Sequence, residues 1–379
     1  MSPYRTREKV APLEGFSGNE NHSREEGNRF SNTLAIRDGF SSLGEGNLTG
    51  RPAGSPPSPT AEGVVVKQKE CRAFAPGSIG NLACGFDVLG LALEGVGDQV
   101  VVRPADREGI RISTITGDDG RLPQETLANT AGAAAQSVLD LLGARTGLEL
   151  EVHKGLPLAA GMGGSAASAV AAVVAVDAFL EAGLSSEALL ECALAGEAVA
   201  SGDRHPDNAA PSLLGGLVLT PRWAPLRMVP LEVPRELCSV HVHPHMEVET
   251  AQARKVLGTS VSLEDGVAQW GNTAALVAGL FREDWDLIGR SVVDHVAEPR
   301  RAAAVPGFFA VKEAALNAGA LAASLSGSGP SLFALCRSRE RAISVGEAMI
   351  RAFKEAAGLE ADLLVSGGRA PGARVLEPA

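Results

Sequence analysis

Apolar and polar residues alternate along Leu148-Glu-Leu-Glu-Val-His153, the period of a half-buried strand. A run rich in Ala and Val follows from Ala166 to Leu180, long enough for several helical turns. Between the two lies Pro157-Leu158-Ala159-Ala160-Gly161-Met162-Gly163-Gly164-Ser165-Ala166-Ala-Ser168. Strand, Gly-rich loop and helix therefore succeed one another directly. Glycines at 161, 163 and 164 let the backbone turn its N–H groups toward a ligand, and Ser165 stands where a helix N-cap is expected. A helix start of this kind is a ready anion site. It is not the P-loop, which needs a Lys that this loop lacks, and it holds only the first half of the dinucleotide fingerprint. Two readings stand at this point: a turn joining a strand to a buried helix, or a phosphate cradle.

The rest of the chain punctuates itself in the same way. Cys71–Ala75 predicts a strand, followed by a second Gly-rich stretch in which Asn81 and Asp87 interrupt apolar positions. Those two residues read either as an Asx-capped turn or as a substrate loop offering an amide and a carboxylate. Gln99–Arg103 predicts a strand. Asn129–Leu142 predicts a helix with Val138, Leu141 and Leu142 on its apolar face and Asn129 as a cap. Ser186–Ser201 predicts another, with Glu197 near its end, where a lone Glu is ordinarily solvated. His205-Pro-Asp-Asn208 opens a loop that leads into a strand at Leu219, and the Pro-rich stretch 221–234 is the expected domain junction. Leu237–His243 is a strand candidate. His241, His243 and His245 alternate on it, but Pro244 interrupts them and no fourth ligand is near, so edge residues are favoured over a zinc site. Helices are expected from Thr250 (carrying Arg254 and Lys255), over 272–280 and 283–293, and up to Ala318. A third Gly-rich element, Ser326-Gly327-Ser328-Gly329-Pro330, lies between two apolar strands. An amphipathic helix over 342–357 and a strand over 363–366 complete the chain.

Length and charge bound what this can be. At 379 residues about two domains are expected. A net charge of −11 argues against nucleic acid as a partner, and no apolar run reaches the length of a membrane span. The five cysteines are scattered without Cys-x-x-Cys spacing, which predicts reduced, buried thiols in a cytoplasmic protein. Residues 1–68 differ in kind, rich in Asn, Ser, Gly, Pro, Arg and Glu. They are expected to be a disordered extension or a leader translated from too early a start codon. They lack the apolar core of a secretory signal and are too acidic for a transit peptide.

Three Gly-rich loops in this order resemble the GHMP kinases, a family of ATP-dependent small-molecule kinases. Gly161-Met-Gly-Gly-Ser165 is similar to their phosphate loop and Ser326-Gly-Ser-Gly-Pro330 to their third motif. Pro76-Gly-Ser-Ile-Gly-Asn81-Leu-Ala-Cys-Gly-Phe86-Asp87, His205-Pro-Asp-Asn208 and Glu298-Pro-Arg-Arg301 resemble the branch that phosphorylates homoserine. A mevalonate-, sugar- or shikimate-type alcohol is the alternative substrate. Departures are Gly164, where the loop more often carries a Ser, and the lone Gly85 in the first motif. The resemblance implies an α+β, two-domain architecture. A mixed-sheet ATP-binding domain is expected over 69–220 and a ferredoxin-like domain over 221–379, with both substrates in the cleft between them.

It also implies a site, residue by residue. Arg254 and Arg301 match positions for the carboxylate of L-homoserine, Asn81 and Asp87 for its ammonium group, and His205, Thr250 and Asn208 for further substrate contacts. For MgATP, residues Pro157 to Ser168 match the nucleotide segment, Asn129 an adenine contact, and Ser165 with Glu197 the magnesium ligands. Asn208, Ser165 and Glu197 form the expected catalytic set. Since Asn208 is no base, it is expected to orient the hydroxyl while the proton leaves to phosphate or water. No nucleic acid or membrane partner is expected, and a homodimer is left open.

Overall fold

Ten residues of mostly small or apolar side chains form β1 (Cys71–Gly80), which pairs antiparallel with the long β2 (Leu89–Ala105). The structure, a computed structural model, describes residues 69–202 and 204–377; the extension expected over 1–68 lies outside the described residues. After β3 (Gly109–Thr116) come α1 (Thr130–Leu142), β4 (Gly147–His153), α2 (Gly164–Leu180), α3 (Ser186–Ser201) and α4 (Pro206–Leu214). The short β5 (Leu217–Leu219) and β6 (Val229–Leu231) follow. Next are β7 (Cys238–Pro244), α5 (Thr250–Lys255), α6 (Leu263–Arg282), α7 (Trp285–Ser291), α8 (Glu298–Arg301) and α9 (Phe308–Asn317). The chain ends on β8 (Ala322–Leu325), β9 (Leu332–Cys336), α10 (Arg339–Ala357), β10 (Ala361–Gly367) and β11 (Arg374–Leu376).

Two sheets result. The first runs β11-β1-β2-β4-β3, with β5 on β2 and β6 on β5; only β3–β4 is parallel, so the sheet is mixed, as the resemblance implies. The second is an antiparallel four-stranded sheet, β10-β7-β9-β8, carrying α9 and α10. Helix α2 packs on β1 and β2 with one side and on α1 and α3 with the other. Twelve of its 17 residues are buried, so it is enclosed all round rather than amphipathic, which suits its Ala and Val sequence. A core cluster including Leu89, Leu91, Leu93, Leu156 and Met162 continues through Leu276 and Leu280 to Phe333 and Leu335, joining both sheets. Among the described residues no helix is long and apolar enough to cross a membrane.

Several expectations need correction. The segment after His205 is a helix, α4, entered through Pro206 at its first turn, where a missing N–H costs nothing. Ser165 is not an N-cap: Gly163, at φ +66°, caps α2, and Ser165 lies within its first turn. On α1 Val138 is buried as expected, but Leu139 is buried beside it while Leu141 is 56% exposed. Glu197 is buried rather than solvated. All five cysteines are buried thiols, as expected. His241 and His243 are buried on β7, which lies inside its sheet between β10 and β9 rather than at an edge, and only His245 is exposed; His243 bonds Ser331 and His245 bonds Asp362.

Two close approaches seat the helices that carry polar groups inward. A Cβ on Gly90 of β2 would stand 1.7 Å from the Asp207 carbonyl oxygen of α4. A Cβ on Gly196 of α3 would stand 2.3 Å from the Thr130 carbonyl oxygen of α1. Gly90→Ala is therefore expected to lower stability by about 1–3 kcal/mol through overpacking, and to lower kcat further by displacing α4. Denaturant melts and kinetics on the variant check this; parent stability together with parent kcat would contradict the tight seat of α4.

Candidate active site

The loop from Pro157 to Gly164 leaves the end of β4 and starts α2, and its backbone is held from behind. Ser331 donates its hydroxyl hydrogen to the Ala160 carbonyl at 2.6 Å, and Ser326 does the same to Gly161 at 2.6 Å. The Ser78 N–H bonds the Met162 carbonyl at 2.9 Å, while the Met162 side chain is buried in the core cluster. With its carbonyls fixed on these donors, the loop keeps its left-handed turns at Gly161 and Gly163. Lys154 supports it from below. Its ammonium pairs with the fully buried Asp98 and donates to the Gly164 carbonyl at 2.8 Å and to Ser168 at 2.9 Å. Asp98 also accepts from the N–H groups of Gly155 and Leu156, so strand end, loop and helix share one buried ion pair.

The loop forms one wall of a cavity of about 530 Å³. Three carboxylates, Asp87, Glu197 and Asp207, are buried in its lining, the last two most deeply. Glu197 comes from α3 across the gap that Gly196 closes; loss of solvation pushes it up to about 7, against a hydrogen bond from Ser165 and the charge of Lys154. Asp207 comes from the first turn of α4. Loss of solvation and then the neighbouring Asp87 push it up to about 7, while the Asn81 N–H pulls the other way. Asp207 Oδ2 accepts from the Asn81 N–H at 3.2 Å and from the Asn208 side chain at 3.4 Å, whereas Oδ1 is buried without a hydrogen-bond partner. Asn208 stands between this acid and the loop: its Oδ1 accepts from Ser78, and a Cβ on Gly163 would lie 3.0 Å from it.

Around Asp87 the charges are dense. Arg254 grips both its oxygens, at 2.8 and 2.7 Å, Arg222 reaches Oδ2 at 3.0 Å, and His205 Nδ1 lies 3.8 Å away. Asp87, His205 and Asp207 are the one group among the described residues whose ligand-type atoms lie within 4.8 Å of each other. Arg301 is buried, donating to the carbonyls of Ala253 and Gly327, and burial pulls its guanidinium below its usual value. The Gly327 carbonyl also accepts from the Asn81 side chain, so the third Gly-rich motif ties the first to α8.

Most residues singled out from the sequence line this one cavity: Asn81, Asp87, Asn129, the segment 157–161, Gly163, Gly164, Ser165, Ser168, Glu197, His205, Asn208, Thr250, Arg254, Arg301, Gly327 and Ser328. Met162, Ala166, Ser326 and Gly329 stand behind the wall; Ala166 is core and Ser326 is a strut for the loop. Asn129 spends its side chain on capping α1 and on the Pro123 carbonyl, which is the capping reading of that residue. Thr250 is near Ser328, 3.5 Å between hydroxyls. Sequence reasoning passed over Asp207, Lys154 and Asp98. Asp207 stood inside a motif that was quoted, and the signal was an acid beside Asn208 at a Pro-initiated helix. Lys154 and Asp98 carry no motif, since their meaning lies in a strand register that brings them together.

Known proteins share this sequence and fold. The profile of the GHMP kinases N terminal domain matches residues 129–216, and that of the GHMP kinases C terminal matches 276–355. A homoserine kinase of Chloroherpeton thalassium is 44% identical over 318 residues, 81% of this chain and 100% of that protein. One from Xanthomonas campestris pv. campestris is 46% identical, covering 84% of this chain and 96% of the relative. The crystal structure of a homoserine kinase from Cytophaga hutchinsonii matches with a TM-score of 0.79 at 46% identity, covering 82% of this chain and 98% of that one. The mevalonate kinase of L. major, at 16% identity and a TM-score of 0.58, shares the fold. The chain belongs to the GHMP kinase family, among its homoserine kinases.

Proposed function

We propose that this chain transfers the γ-phosphoryl group of ATP to the side-chain hydroxyl of L-homoserine, giving O-phospho-L-homoserine, a step of threonine biosynthesis. The observation that carries the reading is the position of Asn208. It joins a phosphate-type loop on one side to a cluster of opposite charges on the other, within one cavity. A zwitterion with one hydroxyl suits that cluster. Arg254 and Arg301 offer guanidinium groups to a carboxylate. Asp207, with a buried oxygen lacking any donor, and Asp87 suit an ammonium group. The phosphates of ATP suit the N–H groups of the loop and the start of α2.

Phosphoryl transfer of this kind depends on positioning and charge stabilisation more than on covalent chemistry. Asn208 orients the hydroxyl toward the γ-phosphate, and the proton leaves to a phosphate oxygen or water. Glu197 and Ser165 fit magnesium: a carboxylate and a hydroxyl are the hard oxygen donors it takes, and a cation relieves a carboxylate that burial has pushed up to about 7. The ion, when bound, neutralises charge on the β- and γ-phosphates. A cytosolic setting is supported by the buried, unpaired thiols.

Coupled ADP release with homoserine, mevalonate, galactose and shikimate tests the reading. Turnover is expected with homoserine far above the others, and preference for an uncharged alcohol would overturn it. Glu197→Gln is expected to raise the half-saturating magnesium concentration by at least the roughly 10- to 100-fold that loss of an outer partner of a metal ligand brings. An unchanged magnesium titration would remove Glu197 from the site.

The pH dependence follows from Asp207. Its ionised form is the one that pairs with an ammonium group, and its raised value keeps the proton on until pH about 7. Thus kcat/KM for homoserine, at saturating MgATP, is expected to fall as pH drops below 7. In Asp207→Asn the residual activity loses that limb. A limb that survives in the variant belongs to another group.

A further inference from the structure

Asp87 and Arg254 are both assigned above to the substrate, yet in the protein alone they are assigned to each other. The Arg254 fork takes both oxygens of Asp87, at 2.8 and 2.7 Å, and Arg222 adds a third charge-assisted bond at 3.0 Å. Arg222 comes from the Pro-rich segment between β5 and β6, and its side chain is 54% exposed against 11% for Asp87. The Arg254 guanidinium also lies over the Phe86 ring, 5.3 Å from its centroid, a surface on which it can rest when it turns from one carboxylate to another.

We propose that Asp87, Arg254 and Arg222 form a charge-exchange lock that selects ligands carrying a carboxylate and an ammonium group together. The inference rests on the homoserine reading of the site and deepens it. A carboxylate that takes the Arg254 fork must pull it from Asp87, and a mostly buried Asp87 then loses two charge-assisted bonds. If the same ligand brings an ammonium group, Asp87 regains a partner and the exchange is balanced. A hydroxy acid without the amine leaves Asp87 to Arg222 and the more distant His205, and an amino alcohol without the carboxylate leaves Arg254 in competition for Asp87. Each half-ligand is therefore rejected by the pair it breaks, which is discrimination by repulsive design as well as by attraction. Arg222 acts as a positioning residue, holding Asp87 from the outside while Arg254 moves.

The lock makes an unusual forecast: removing the Asp87 charge should improve binding of the wrong ligand. Asp87 sits at φ +59°, a conformation Asn tolerates, so Asp87→Asn keeps the backbone. Calorimetry on the full chain with magnesium and a non-hydrolysable ATP analogue measures L-homoserine, 4-hydroxybutanoate (homoserine without its amine) and 3-aminopropan-1-ol (homoserine without its carboxylate). In the parent, homoserine is expected to bind about 100-fold more tightly than either half-ligand, the scale of lost charge-assisted bonds. In Asp87→Asn, homoserine weakens about 10-fold or more while 4-hydroxybutanoate tightens by about 10-fold. Unchanged or weaker 4-hydroxybutanoate binding in a variant that still binds the nucleotide analogue overturns the lock. A second arm needs no mutation: methylammonium chloride should tighten 4-hydroxybutanoate binding to the parent, and tetramethylammonium chloride at equal ionic strength should not. Equal effects of the two salts also overturn it. Arg222→Gln should weaken 4-hydroxybutanoate more than homoserine, a split that a merely structural role would not produce; equal losses exclude Arg222. Failure of homoserine itself to bind the parent sinks the homoserine reading, whereas homoserine binding without the gain in Asp87→Asn sinks only the lock.

Discussion

Two carboxylates kept out of water, Glu197 and Asp207, are the constraint around which the site is built. Burial pushes each up to about 7, which means the protein holds them in an environment that resists their charge. Such groups are unfavourable for folding unless a cation arrives to take them. One carboxylate lies beside the Gly-rich loop and the other beside the Asp87 cluster, so under the proposed function each suits a different cation, a metal with the nucleotide and an ammonium group with the alcohol. The fold works to put them there. Gly196 lets α3 touch α1 and so carries Glu197 inward, and Gly80 and Gly90 leave space for the first turn of α4.

The Gly-rich loop is braced from outside itself. Its carbonyls at 160, 161, 162 and 164 are each capped, by Ser331, Ser326, the Ser78 N–H and Lys154. Two of those donors come from the hairpin between β8 and β9, far along the chain. With these carbonyls satisfied, the loop's N–H groups are left to offer to an anion, as the proposed function requires. Preorganised donors of this sort stabilise developing charge without rearranging during the reaction.

Elements with a strong period were legible in the sequence. The strand at 148–153, the helix at 186–201 and the third Gly-rich turn are where the pattern put them. What escaped was whatever depends on contacts distant in sequence. β3 is polar on one side, and its partner β4 is parallel and beyond a helix. α4 hides behind two prolines and an Asp-Asn pair that read as a loop, until Gly80 and Gly90 are seen to make its seat. In the site, motifs exposed most of the residues that line the cavity. They did not expose the Lys154–Asp98 pair, or that Arg254 and Asp87 face each other. Asp207 was visible as a letter but not as a buried acid, because burial is a property of the packed helix and not of the motif.

The central claim is that the opposite charges of the substrates draw protons off these buried acids. Calorimetry of homoserine binding in buffers of different ionisation enthalpy, near pH 6.5, measures this directly. With Asp207 at about 7 in the protein alone, binding is expected to release a substantial fraction of a proton, and Asp207→Asn to release none. Proton uptake, or binding by the parent with no proton exchange, would contradict the account.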